Sequence, residues 1–321
     1  MRVLILIPDG SQLLDVAGPA QVVETARLIG APYELHFVGT AEQRRTKLGL
    51  RFAGIEKLPK PQENDWIVVA GQAAYDPTTR CVNVRNPFAS EEERDWLAQA
   101  HAKGARLSSV CSGAFALGEA GALDNRKATT HFLGLDRFRQ RFPLTKVIEN
   151  VLFVDDGQVI TSAGVAAAID MALHLVSRDH GAKMALTITR GLVINQRRSG
   201  ADDQLSAHLN HRGHPHTGVH RVQDWLSQHV EDPATLDELA RVARMSIRSL
   251  TREFRASTGL TILEFRETLR LEGAQDLASR HDLTLEEVAY RCGFGGSRQL
   301  RRVWRKHHGA QPLRPKRVRI P

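Results

Sequence analysis

Two different hydrophobic periods run along this chain. Up to about position 195, short strand-like runs recur at Val3–Ile7, Glu34–Val38, Trp66–Ala70 and Arg106–Val110. Helix-length stretches separate them, one around Leu14–Ile29, one from Glu91 to Lys103 and one from Ser112. Ser90 with Glu93 three positions on forms a capping box for the second of these. Such alternation predicts a mainly parallel sheet with helices on both faces. Val151–Val154 and Gln158–Thr161 flank Asp155-Asp156-Gly157 and predict a hairpin. Helices over Ala166–Ser177 and Met184–Asn195 then close this part.

Further on, the period becomes helical throughout and the pattern occurs twice. ELARVARMSIRSLTREFRASTG from Glu238 is echoed by EVAYRCGFGGSRQLRRVWRKHHG from Glu287. Leu239 pairs with Val288, Ala240 with Ala289, Leu250 with Leu300, Phe254 with Trp304 and Gly259 with Gly309, which indicates one unit used twice. Each copy predicts helix, tight turn, helix. In the first, Thr235 and Glu238 make a capping box, and Leu236, Leu239, Ala240 and Ala243 form an apolar stripe. Ser246 caps a second helix that buries Leu250 and Phe254 and exposes Arg248, Ser249, Arg252 and Arg255. The second copy uses Thr284 and Glu287, then Ser297 as cap. It buries Leu300 and Trp304 and exposes Arg298, Gln299, Arg301, Arg302, Arg305 and Lys306. A helix apolar on one side and arginine-rich on the other suits a DNA major groove. Ser246, Arg248, Ser249, Arg252, Ser297, Arg298, Gln299, Arg301 and Arg302 are the candidate DNA contacts.

Charge sharpens this. The 321 residues carry a net +8, and residues 221–321 hold 19 Lys and Arg against 13 Asp and Glu. From Arg291 to Arg319 there are ten basic residues and no acidic one, a run that would release counterions on meeting phosphates. The length suits two domains: residues 1–195, a linker over 196–218, and residues 219–321. The linker is rich in Gly, Asp and Ser and carries His208, His211, His214 and His216, with His220 just beyond; without regular spacing these histidines are not expected to hold a metal, and no cofactor is expected. Three cysteines give neither a disulfide framework nor a zinc pattern. With no signal-like N-terminus and no stretch near the ~20 apolar residues of a membrane span, a cytoplasmic protein without a membrane partner is expected.

Residues 219–317 resemble the DNA-binding domain of AraC-family transcription regulators, in which two helix-turn-helix units are joined by a long helix, here Ile262 to Ala278. The Arg270-Leu271 to Ala274 stretch and the Gly293–Phe294 dipeptide carry the likeness. Two positions depart from it: Arg298-Gln299-Leu300 stands where a His-Phe pair is common, and QPLRPKR replaces S-P-x-x-Y-R. Such a domain implies double-stranded DNA as partner and, for an activator, RNA polymerase.

The chemical candidate is SVCSGAFALGEAG, residues 109–121. A strand ends at Cys111 and a helix begins at once, a nucleophile-elbow pattern with cysteine for serine. Amides and the helix dipole there would favour a thiolate. His131, in ATTHF, and Asp15, in LLDVAGP, could converge on it. VCSGAF, RKATTH and TSAGVAAAID resemble the PfpI-like branch of the class I glutamine amidotransferase-like superfamily over residues 1–195. Fused to an AraC-type domain, that branch makes the GlxA-type regulators. Gln72 departs from the second glycine that relatives often place by an oxyanion site.

The fold expected is therefore α/β: a flavodoxin-like, PfpI-type parallel sheet sandwiched by helices, then a smaller all-α double helix-turn-helix domain. The function expected is a non-catalytic, sequence-specific transcriptional regulator. Its N-terminal domain would sense a small metabolite, nitrogenous by the resemblance, at Asp15, Gly71, Cys111, Ser112 and His131, and would pair into a homodimer. The alternatives are a cysteine-dependent hydratase or amidase-like enzyme, with Cys111, His131 and Asp15 as its machinery, or a thiol redox sensor. Cys111 as a small residue in a crowded turn, His131 as a structural hydrogen bonder, Asp15 as a helix cap and Asp170 as a plain helix residue are the inert readings. Cys81, in an irregular polar stretch, and Cys292, in the second turn, are expected to be structural.

Overall fold

The computed structural model describes residues 1–72, 74–76, 81–83, 87–194, 198–200, 204, 211–278, 283–309 and 313. The chain divides into two compact units, Met1–Gln204 and Leu205–Pro321.

In the first unit, seven strands form the main sheet: β1 (Arg2–Leu6), β2 (Glu34–Gly39), β3 (Glu56–Lys57), β4 (Trp66–Val69), β5 (Arg106–Val110), β6 (Phe153–Asp156) and β7 (Val159–Ser162). Their order is β6-β7-β5-β4-β1-β2-β3, with every pairing parallel except β6 with β7. The two-residue period of a strand decides what each face buries. Val3 and Ile5 enter one core with helices α1 (Leu13–Leu28), α5 (Ala167–His180) and α6 (Ala182–Gly191). Leu4 and Leu6 enter the other, with α2 (Glu91–Ala102), α3 (Ala114–Glu119) and α4 (Leu135–Arg141). Apolar runs with no polar alternation are what burial on both faces requires. The capping box of Ser90 and Glu93 forms as expected.

Four sequence expectations need correction in this unit. The hairpin lies one or two residues later than its pattern suggested, because the turn is centred on Gly157 (φ +80°), whose N–H donates to Asp155 Oδ1 at 3.0 Å. Helix α6 ends at Gly191, short of Asn195, which lies outside the described residues. Asp15 is not a cap: it is the third residue of α1, and the N-cap is Gln12. Cys81 stands in a strand, Cys81–Asn83, paired antiparallel with Ala74–Asp76, since backbone pairing holds there without an apolar pattern to announce it.

The described residues of the second unit form helices α7 (Thr217–Gln228), α8 (Leu236–Ala243), α9 (Ile247–Thr258), α10 (Ile262–Ala278), α11 (Leu285–Arg291) and α12 (Ser297–His308) with short connections. It has two cores. One gathers α7, α8, α9 and the first half of α10, through Phe254, Phe265 and Leu269. The other gathers the second half of α10 with α11 and α12, through Leu271, Ala274, Leu300 and Trp304. Both capping boxes form, at Thr235 with Glu238 and at Thr284 with Glu287. Leu236 leaves the expected stripe: as the first residue of α8 it is exposed. No helix among the described residues is long and apolar enough to cross a membrane.

The fold class is thus α/β with a flavodoxin-like, mostly parallel sheet, followed by a smaller helical domain with two helix-turn-helix units.

Candidate functional site

The helices α9 and α12 are the second helices of their units, the ones whose exposed faces carry the candidate DNA contacts. Ser246 caps α9, its Oγ accepting from the Ser249 N–H at 3.2 Å. Leu250 and Phe254 point inward, and Arg248, Arg252 and Arg255 are exposed. Arg252 is engaged locally, its Nε and Nη2 both donating to Glu253 Oε1; an exposed pair of this kind is worth little. Ser249 is half-buried.

Helix α12 is the more basic of the two. Leu300, Val303 and Trp304 are buried, while Arg298, Gln299, Arg301, Arg302, Arg305 and Lys306 are exposed. Arg298, Gln299, Arg301, Arg302 and Arg305, with Gly295 and Gly296, line a cleft of about 880 Å³. Ser297 does not act as the cap. It is the first helical residue, following Gly296 at φ +145°, and its N–H donates to Glu286 Oε2 at 3.0 Å. A carboxylate from the preceding helix thus satisfies the helix end. Gln299 is partly spent inward, its Oε1 accepting from the Gly295 N–H at 2.7 Å.

In the first unit, strand β5 ends at Val110 and the chain turns sharply through Cys111, at φ +55°, into a single turn, Cys111–Gly113, and α3. Positive φ at a non-glycine residue is the strain an elbow carries. The turn is packed by contacts that leave no room for extra atoms. A Cβ on Gly113 would lie 2.3 Å from Val69 O, and one on Gly164 would lie 2.3 Å from Cys111 Cβ. On Gly71 it would lie 2.5 Å from Asp15 Oδ2 and 2.9 Å from Cys111 Cβ. Thr130 Oγ1 donates to Cys111 O at 2.8 Å, and Ser112 Oγ accepts from the Gln72 N–H at 3.0 Å. The Gln72 side chain turns away, its Nε2 donating to Phe88 O at 2.6 Å.

Asp15, Gly71, Cys111 and Ser112 therefore meet. Asp15 is fully buried; the Val165 N–H donates to its Oδ1 at 2.9 Å, while Oδ2, beside the Gly71 backbone, has no close hydrogen bond among the described residues. Desolvation lifts this carboxyl to about 7, partly offset by the nearby amides of Val165 and Gly71. The thiol behaves contrary to the sequence expectation of a thiolate. Burial first, then the Asp15 charge, push it far above the ordinary cysteine range, and the hydrogen bonds at Ser112 offset only part of this. The resting pair is thus a neutral thiol beside a carboxyl that shares its time between two protonation states near neutral pH.

His131 stands apart in chemistry. Half-buried, it caps the turn Phe132–Gly134, its Nδ1 accepting from the Leu133 N–H at 3.4 Å, and its ring lies against Phe132. Burial lowers its basicity. Thr130, the residue before it, makes the link to the elbow, and the sequence offered no reason to choose it. Val165 was also missed; the glycine before it was the available signal. Asp170 is a buried residue of α5 paired with Arg198, whose Nη2 is 2.7 Å from Oδ2. Cys292 is buried at the end of α11. His211 Nδ1 lies 2.9 Å from Thr258 O, His214 and His220 lie ring to ring, and His216 Nδ1 caps α7; His208 lies outside the described residues. Among the described residues no group of three or more His, Cys, Asp or Glu is placed to hold a metal ion.

Residues 1–178 match the DJ-1/PfpI family and residues 239–317 match a helix-turn-helix domain. The HTH-type transcriptional regulator CdhR of Pseudomonas aeruginosa is 32% identical over 223 residues, 70% of this chain and 66% of that protein. The HTH-type transcriptional regulator GlxA of Rhizobium meliloti is 27% identical, over 65% of this chain and 64% of its own length. The chain thus spans just under two thirds of these relatives. Among solved structures, an AraC family transcriptional regulator from Pseudomonas putida superposes with a TM-score of 0.52 at 24% identity, covering 60% of this chain and 98% of its own. A THiJ/PfpI family protein from Pseudomonas syringae gives 0.53 at 20% identity, over 75% and 88%. At that identity the two structures speak for the fold.

Proposed function

Because the chain belongs to the DJ-1/PfpI family and continues into a helix-turn-helix domain, we propose that it is a transcriptional regulator. It reads double-stranded DNA with α9 and α12, and its first unit senses a small metabolite. The observation that carries the DNA-reading half is the exposed face of α12, with five basic side chains, Arg298, Arg301, Arg302, Arg305 and Lys306, and no acidic residue along the helix. Held by the apolar ridge of Leu300 and Trp304, that face is stiff enough to lie in a major groove. The relatives' names as regulators support the same assignment.

The sensing half rests on Asp15. A fully buried carboxylate oxygen without a partner is rare in a folded interior, and a ligand donor can supply what is missing. Gly71, Cys111 and Ser112 are its neighbours, and a nitrogenous metabolite with an N–H is the matching chemistry. His131, next to Thr130, whose hydroxyl binds the elbow carbonyl, orients rather than abstracts. A cysteine-dependent enzyme or a thiol redox sensor is the weaker reading, because both need a thiolate that burial opposes. A cytoplasmic homodimer, with RNA polymerase contacted if the protein activates, completes the proposal.

The test is to select duplexes from a random pool with the full chain, then to titrate a library of nitrogenous metabolites by thermal shift. A ligand at a hundred times its Kd stabilises by about 2.7 kcal/mol, and it must change operator affinity by the factor by which DNA changes its own. A chain that retains no sequence-selected duplex fails as a regulator. A chain that selects DNA but is shifted by no metabolite fails as a sensor.

A further inference from the structure

In the DNA-binding unit, the side chain of Arg270, on the joining helix, touches the turn that leads into the first helix-turn-helix unit and the turn inside the second. Its Nε donates to Val230 O at 2.8 Å, and its Nη2 to Asp232 O at 3.2 Å and Glu231 O at 3.4 Å. Those carbonyls form the turn between α7 and α8, on the side of the first core. On its other side the guanidinium lies against Gly293, in the turn between α11 and α12, where a Cβ would come within 2.7 Å of Nη2 and 2.8 Å of Cζ and Nε.

The repeat shows why this contact is specific. Gly293 corresponds in the duplicated pattern to Arg244, and both sit in left-handed backbone, at φ +73° and +56°. The first copy therefore accepts a large side chain at this turn, so the left-handed backbone by itself does not demand glycine in the second. In the second copy a Cβ would instead press on the Arg270 guanidinium and push that side chain off its place. Arg266, one turn earlier on α10, adds a second tie to the first unit, its Nη1 donating to Ala234 O at 3.0 Å. Glu267 ties α10 to the reading helix α12 through Lys306 at 3.1 Å.

We propose that Arg270 is a positioning residue for DNA recognition: by bracing the α7–α8 turn against the Gly293 turn, it sets the spacing and phase of the two reading helices. This rests on the DNA-reading function proposed above. Two linked readers gain from each other only while their geometry fits both half-sites, and the gain disappears when it does not. Arg270 meets no base or phosphate in this scheme; it acts through the separation of α9 and α12.

The experiment compares the full chain with Arg270→Gln, Arg270→Lys and Gly293→Ala on three duplexes. One carries both half-sites of the sequence selected by the wild type, one has the second half-site scrambled, and one has an insertion of about half a helical turn between them. The expected result for Arg270→Gln and Gly293→Ala is a loss of about tenfold or more on the intact duplex, little change on the single half-site, and weaker discrimination against the insertion. Arg270→Lys, which keeps the charge and one donor nitrogen but not the fork, falls between. Gly293→Ala reaches the same contact from the other side, so it tests the brace even if an Arg270 variant folds poorly. Equal losses on the intact and single half-site duplexes, or unchanged discrimination against the insertion, overturn the inference. A wild-type chain that selects no duplex overturns the regulator reading itself, a distinct result.

Discussion

Val165 donates its backbone N–H to Asp15 Oδ1 at 2.9 Å, and both partners are held where they would not go unaided. Val165 is a β-branched residue at φ +49°, a conformation such residues seldom adopt. Asp15 is a carboxyl with no solvent contact. The bond joins α1 to the segment Gly164–Val165 that closes over Cys111, so the charge on Asp15 and the shape of the elbow are linked.

That link has a pH signature. Asp15 is raised from 3.8 to about 7. A group whose folded value lies above its unfolded one favours folding fully below the unfolded value, and this contribution is lost as pH rises through the folded value. The stability of the wild type relative to Asp15→Asn should therefore fall between about pH 4 and pH 7, by as much as about 4 kcal/mol in all. Urea unfolding of both chains across that window measures it. A difference that stays level, or grows with pH, contradicts the assignment.

The thiol should be sluggish. With Cys111 buried and facing Asp15, its alkylation by iodoacetamide at neutral pH should be at least about a hundredfold slower in the folded chain than in urea. Peptide mapping separates it from Cys292, whose thiol burial also raises, to about 11. Rapid labelling of Cys111 in the native state would restore the nucleophile and redox-sensor readings.

Gly164 is where packing is least forgiving. Its φ of +104° suits glycine, and a methyl group there would overlap Cys111 Cβ. Gly164→Ala should cost about 2–4 kcal/mol in chemical denaturation. Gly181, also at positive φ but with open space around it, is the control: its alanine variant should lose only about 1–2 kcal/mol. Equal losses would mean that backbone strain, not the contact with Cys111, governs the site.

On the DNA face, Arg298→Ala should weaken binding to a selected duplex by roughly 1–3 kcal/mol and relax preference at one position, if the side chain is bidentate to guanine. Arg305→Ala, nearer the C-terminal end of α12, should weaken all sequences alike and reduce the salt dependence. Filter or anisotropy titrations at two salt concentrations distinguish them. An Arg298→Ala loss that is the same on random DNA removes it from base reading.

Much of this was legible because it is periodic. The strands β1, β2, β4 and β5, the capping boxes at Ser90, Thr235 and Thr284, and the joining helix Ile262–Ala278 follow from apolar spacing and local side-chain-to-backbone bonds, which a sequence displays directly. What it hid depends on residues far apart in the chain. The thiolate expected at Cys111 assumed the helix dipole would win, whereas burial and the Asp15 carboxyl, 96 positions away by number, decide the outcome. Ser297 looked like a cap until Glu286 supplied the acceptor, and Thr130 and Val165 belong to the elbow only through tertiary contacts.

Helix α10 gives Phe265 and Leu269 to one core and Leu271 and Ala274 to the other. Neither core has a wall of its own along that side, so loosening one strips support from its neighbour. A substitution that loosens α10 therefore reaches the packing behind both reading helices.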